Sequence, residues 1–108
     1  MLNNEFEWEI VKSDERYIVS DNYNLKDLVS SITVLNPGKS TTGHSHKGQE
    51  EVYVFFRGVG KMQIDQKEYS VTQGDVIPVD DGAFHRVFNE SNQKLEFAAI
   101  FNLSLIHI

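Results

Sequence analysis

Residues able to do chemistry crowd into one stretch, Gly43-His44-Ser45-His46-Lys47-Gly48-Gln49-Glu50-Glu51. Two of the chain's four histidines stand there, one residue apart, with a carboxylate five positions beyond the second. In an extended segment side chains alternate faces, so His44 and His46 point the same way, their Cα atoms about 6.7 Å apart. Two imidazoles so placed can converge on one ion. Lys47-Gly48-Gln49 reads as a turn that reverses the chain and offers Glu51 from the start of the next strand. Imidazole plus carboxylate suits Zn, Mn, Fe, Ni or Cu, and the lack of thiolate argues against a soft site. His44, His46 and Glu51 leave the coordination incomplete. His85, within Gly82-Ala83-Phe84-His85-Arg86-Val87-Phe88-Asn89, is the candidate for a third nitrogen.

The elements that must position these residues read as strands. Glu5 to Ile10 alternates acid and apolar, the period of a half-buried strand. Arg16 to Ser20 is a second short strand, and Asp21 to Asp27 reads as a loop. Leu28 to Leu35 is β-rich and ends at Asn36-Pro37-Gly38. Glu51 to Phe56 is β-branched and aromatic throughout, as in a strand covered on both faces. Gly58-Val59-Gly60 bends the chain into Lys61–Ile64, and Glu68 to Val71 pairs back after a tight connection. Val76 to Val79 follows, with Pro78 expected on an edge or at a bulge because it has no donor for the ladder. Phe84 to Phe88 and Leu95 to Phe101 complete the pattern. The apolar tail 103–108 reads as a docking or edge segment, and His107 has no partner at ligand spacing. Short strands separated by turn signals, without a long amphipathic helix, predict an all-β sandwich or barrel, with a double-sheet jelly roll the form most compatible with an internal site.

Composition narrows the classes. The 108 residues make one domain, 1–108, large enough for a single core. The net charge of −6 opposes a phosphate-backbone partner, so no nucleic acid is expected. There is no cysteine, hence no disulfide framework and no thiolate metal site. No basic n-region with an apolar h-region opens the chain, and no apolar run approaches ~20 residues. The expectation is a cytoplasmic protein without a membrane segment.

Gly38, five residues, His44-Ser45-His46, four residues, Glu51, six residues, Gly58 matches the first cupin motif at every signature position. Gly74, Gly82, His85 and Asn89 fit the second motif, although Asp80 stands where that family has Pro and Pro78 lies two residues early. The resemblance runs from about Val34 to Phe101. It implies a cupin double-stranded β-helix, a jelly-roll barrel, holding one divalent transition metal (Zn, Mn, Fe or Ni) on His44, His46, Glu51 and His85. The spacing to Gly58 favours Glu51 over Glu50, which then faces the other way.

A narrower pattern, Thr41-x-Gly43-His44-x-His46, Glu51-x-Tyr53, Gly58-x-Gly60-x-Met62 and His85-Arg86-x-x-Asn89, resembles the archaeal cupin-type glucose-6-phosphate isomerases. That resemblance implies a Tyr53 facing the sugar and Thr41 and Gly43 near its phosphate. This chain is shorter than those enzymes and lacks their long N-terminal part and extended C-terminal segment. By alternation Tyr53 shares a face with Glu51. Lys61 and Arg86 are the cations that could meet a substrate carboxylate or phosphate, and Asn89 is expected to fix a turn.

Three readings follow. In an aldose–ketose isomerase the metal polarises a carbonyl and its neighbouring hydroxyl while Glu51 or Tyr53 moves the proton. In an Fe-dependent dioxygenase the open coordination positions take O₂ and a chelating substrate. In a binding module a small molecule is held without turnover. Expected partners are a small-molecule ligand and a second copy of the chain, paired through an edge strand such as Glu5–Ile10.

Overall fold

The computed structural model describes residues 5–102; the tail 103–108, with His107, lies outside the described residues. Among the described residues nine strands follow one another: β1 (Glu9–Ser13), β2 (Tyr17–Asn22), β3 (Leu28–Leu35), β4 (Glu51–Arg57), β5 (Val59–Ile64), β6 (Lys67–Thr72), β7 (Val76–Val79), β8 (His85–Phe88) and β9 (Leu95–Asn102). Six form one antiparallel sheet in the order β1-β2-β3-β9-β4-β7, and three form a second in the order β6-β5-β8. The all-β, two-sheet expectation is met. Pro78 lies on β7, at the edge of the larger sheet, where a missing donor costs no ladder bond.

Register sets the interior. In one row across the larger sheet Tyr17, Leu35 and Leu95 stand opposite one another; in the next, Val19, Thr33, Phe97 and Phe55; in the next, Asp21, Ser31, Ala99 and Tyr53. Side chains two apart share a face, so the inner surface passes from large and apolar in the first row to smaller and more polar in the third, and Val29 and Phe101 stand beyond it in the fourth. The large end is closed by Leu35, Phe55, Met62, Val87 and Leu95, each at most 1% exposed. The small end is left as a cavity.

Three expectations need correction. The first strand runs Glu9–Ser13 and is exposed throughout, not half-buried from Glu5. Among the described residues it is an edge strand paired only to β2, with a bulge between Ile10 and Lys12, and alternation does not say where such pairing starts. Asp21, assigned to a loop, belongs to β2, which pairs with β3 as far as Asn22 and Ser30. The bend before β5 is made by Gly58 alone, at φ 89°, and Gly60 already lies in the strand. A Cβ on Gly60 would stand 2.6 Å from both the Phe88 carbonyl oxygen and Leu95 Cδ2, so close packing demands this glycine.

Candidate metal centre

Two reciprocal backbone bonds build the site before any side chain does. The His44 amide donates to the His85 carbonyl (3.2 Å), and the His85 amide donates to the His44 carbonyl (2.9 Å). The pair is an antiparallel bridge between the β3–β4 connection and the start of β8. Residues opposite each other in such a bridge project to one side, and the two imidazoles meet edge to face with centroids 4.3 Å apart. Further stitches extend the seam. The Thr41 amide donates to the Val87 carbonyl, and the Val87 amide donates to Thr41 Oγ1 (3.0 Å). The Gly48 amide donates to Asp81 Oδ1 (2.6 Å), and the Gly82 amide to the His46 carbonyl (3.2 Å). Asp80, out of pattern in the sequence, accepts the Ala83 amide through its carbonyl and closes the turn before His85 without proline.

Ligand atoms of His44, Glu51 and His85 all lie within 4.8 Å of one another. His85 is 3% exposed; its Nδ1 donates to the Ala83 carbonyl at 2.9 Å, which directs the lone pair of Nε2 into the site. That Nε2 is buried, makes no hydrogen bond, and stands 3.6 Å from Glu51 Oε2. A buried nitrogen left without a partner is costly. Beside an imidazole and a carboxylate it fits a divalent transition metal, whose usual donors these are. His46, expected as a fourth ligand, is exposed at the cavity wall; its ring centroid is 4.7 Å from that of His44, outside the tighter trio. Glu50 is exposed, as its position one residue from Glu51 requires.

The charges suit a metal. Burial lowers the His44 pKa, helped by His85 and His46, and so keeps the ring neutral. Burial pulls Glu51 up, but His85 facing it at 3.6 Å and the neighbouring imidazoles outweigh this and hold it below 4.5. Burial likewise pulls His85 down, but Glu51 and the Ala83 carbonyl raise it above 6.5. Tyr53, 6% exposed, packs edge-on to His85 with ring centroids 5.6 Å apart. Burial, then the Glu51 charge, hold its phenol well above 10 and therefore protonated.

The residues read as substrate contacts separate. Thr41 lines the cavity and also seams the loop to β8. Gly43 is not in the cavity wall; it packs under Phe84, whose Cζ would be 2.2 Å from an added Cβ. Lys61 is outside, paired with Glu90 at 3.2 Å, because Met62 beside it points into the core. Arg86 is outside for the same reason, flanked by buried His85 and Val87; its Nε donates to the Thr41 carbonyl (2.8 Å) and its Nη2 to Ser40 Oγ (3.0 Å). Asn89 fixes a turn as expected: fully buried, it donates to the Leu35 and Gln93 carbonyls and accepts from Ser91. Two residues escaped the sequence reading. Gln49 and Asp21 are buried and line the cavity, which has a volume of about 440 Å³.

The cupin domain family matches residues 31–101. Over 69 residues the chain is 36% identical to an oxalate-binding protein of Thermotoga maritima, covering 64% of this chain and 57% of that one. Over 59 residues it is 32% identical to an uncharacterized protein of Methanocaldococcus jannaschii, covering 55% and 47%. The chain thus spans about half the length of the curated relatives it matches. Among solved structures, a predicted oxalate decarboxylase from Thermotoga maritima superposes with a TM-score of 0.75 at 26% identity, covering 94% of this chain and 96% of that one. A cupin-2 domain from Rhodospirillum rubrum reaches 0.80 at 13% identity, covering 95% and 73%, a likeness of fold alone.

Proposed function

The chain belongs to the cupin family, and from that premise we propose that it binds a small oxygen-rich organic acid, of the oxalate class, at a divalent metal on His44, Glu51 and His85, with His46 beside them. The observation that carries this reading is His85 Nε2, buried, without a hydrogen-bond partner, and facing Glu51 across 3.6 Å. The oxalate-binding relative supports the ligand class.

When bound, the metal supplies a Lewis acid that polarises a ligand oxygen and keeps positions open for a chelating pair. The chain's own residues do the rest. The Ala83 carbonyl fixes the tautomer and tilt of His85. Glu51 is held anionic by His85, and it balances the charge of the ion. Tyr53 keeps its proton and donates from the wall of the site. Phe97, Phe101 and Ala99 line the floor and exclude water from the bound acid.

The test is reconstitution with Zn, Mn, Fe or Ni, elemental analysis, and calorimetric titration with oxalate. Stoichiometric metal and oxalate binding confined to the loaded protein are expected. Protein that takes up none of the four metals, or that binds oxalate equally without one, overturns the reading.

A second reading, aldose–ketose isomerisation, is favoured by Tyr53, a protonated phenol packed edge-on against His85 and within the influence of the Glu51 charge. Lys61 and Arg86 outside the cavity weigh against a phosphorylated substrate. A coupled assay with glucose, fructose and mannose 6-phosphates decides it, and metal-dependent interconversion would displace the binding reading. Iron with ligand-dependent O₂ uptake would instead make the protein a dioxygenase. We further propose that the exposed edge β1 pairs with a second copy; a monomer by light scattering at high concentration rejects this.

A further inference from the structure

The cavity does not end at the metal centre. Tyr53, Ala99, Ser31 and Asp21 form one row on neighbouring strands β4, β9, β3 and β2. Three strand spacings separate Tyr53 from Asp21, about 14 Å between their Cα atoms. Between them stand only the small side chains of Ala99 and Ser31, which leave a trough in the sheet's inner face.

Two polar side chains, each more than nine-tenths buried, line this trough with an atom unpaired. Gln49 (5% exposed) has a buried Nε2 with no partner, and Asp21 (9% exposed) has a buried Oδ1 with none. Asp21 Oδ2 is already taken, accepting the Tyr23 hydroxyl at 2.9 Å. Buried polar atoms left unpaired are rare and costly in folded proteins. Gln49 offers a donor from the loop whose backbone it closes onto His46; Asp21 offers an acceptor on β2, three strands from Tyr53.

We infer that the trough selects a chelating acid whose far end carries hydroxyl groups: the acid sits at the metal within reach of the Gln49 amide, and a tail hydroxyl donates to Asp21 Oδ1. The inference rests on the proposed metal centre and extends it beyond oxalate, which is too short to reach Asp21. A carboxylate tail is disfavoured by the Asp21 charge, and an apolar tail leaves both polar atoms unpaired. The cavity volume of about 440 Å³ lies within the range of roughly 300–1,000 Å³ that encloses multi-atom ligands and exceeds the needs of a two-carbon diacid.

Three six-carbon acids with the same chelating 2-hydroxy-carboxylate and different tails make the test: gluconate (hydroxyls), 2-hydroxyhexanoate (apolar) and 2-hydroxyadipate (carboxylate), with oxalate as reference. Metal content is measured on every sample, and binding is read by calorimetry on metal-loaded protein. Wild type should bind gluconate most tightly and 2-hydroxyadipate most weakly. Asp21→Asn, which keeps an acceptor for Tyr23, should weaken gluconate about ten- to hundredfold, the worth of a hydrogen bond to a charged group. The same variant should strengthen 2-hydroxyadipate and leave oxalate unchanged. Ser31→Leu should fill the trough and weaken all three six-carbon acids while sparing oxalate. If wild type does not prefer gluconate, or Asp21→Asn leaves the order unchanged, the trough holds only water and this inference falls while the metal centre stands. If no acid binds in a metal-dependent way, both fall.

Discussion

The two ends of the larger sheet's inner face share strands and register and differ only in what those strands carry. At one end Leu35, Phe55 and Leu95 meet Met62 and Val87 and exclude all solvent. At the other, one or two rows away, Ser31, Ala99 and Asp21 leave space, and Glu51 and His44 face it with His85 behind them. A functional cavity here needs no separate architecture. The backbone continues unchanged while side-chain volume drops and polarity rises. Stability should therefore reside at the closed end and chemistry at the open end.

The strongest test removes a ligand. His85→Ala should weaken metal binding by more than about 100-fold, since losing even a residue that only orients a ligand costs about 10–100-fold. The thermal midpoint of the metal-free variant should remain near that of the metal-free wild type. Stoichiometric metal in the variant would show that chemistry is not confined to these residues.

Leu35→Ala tests the closed end. It should cost about 2–5 kcal/mol by denaturant titration, the range for a fully buried leucine. Protein that still folds should bind metal as wild type does.

Glycines at the two ends provide the third test. In Gly60→Ala the new methyl meets a backbone carbonyl as well as Leu95, so a cost of about 1–3 kcal/mol is expected. In Gly43→Ala it meets only the tip of Phe84, a partly exposed ring that can swing aside. That variant should be the more stable of the two, with its defect read in metal affinity.

Protonation gives a fourth, smaller effect. The folded pKa of His85 is raised above 6.5, so its contribution to the metal-free fold is fully present below 6.5 and lost as pH rises through the folded value. That of Glu51 is lowered, so its contribution is present above 4.5 and lost as pH falls through the folded value. Their mutual pair therefore serves the metal-free protein chiefly between 4.5 and 6.5. Metal must displace the proton from His85, and affinity should fall by up to about tenfold per pH unit once that ring protonates. Calorimetry at stepped pH checks this; constant affinity from pH 8 to 5 would contradict it.

The smallest effect is expected at Lys61. Its ion pair with Glu90 is exposed and remote from the cavity, so Lys61→Ala should change stability by less than about 0.5 kcal/mol and leave ligand affinity unchanged. A marked loss of affinity for an anionic ligand would return this lysine to the site.

These regions also differed in how far they could be read from sequence. The cluster of His44, Glu51 and His85 was legible as a candidate ligand set, with His46 beside it, because two of its members follow distinctive turns: Gly48 before Glu51 and Gly82 before His85. Strand β3 was legible to the residue because it is long, β-rich and stopped by Asn36-Pro37-Gly38. Lys61 and Arg86 were misplaced although alternation alone decides them: if Met62 and His85 face inward, their neighbours face outward. Asp21 and Gln49 were beyond local reading. Each resembles a loop residue in its own neighbourhood, and only pairing of β2 with β3, or folding of the ligand loop over the cavity, buries them. Polar residues buried by tertiary structure carry no periodic signal.

The bridge between His44 and His85 has one more consequence. Because main-chain amides and carbonyls hold the two positions together, the mould of the site survives the loss of a ring. His85→Ala should leave an imidazole-shaped void with Glu51 and His44 still in place around it. Free imidazole supplied in solution should enter that void and restore metal uptake, whereas a larger heterocycle such as indole should not. Such chemical complementation would show that the peptide backbone encodes where the ligand belongs and the side chain merely fills it.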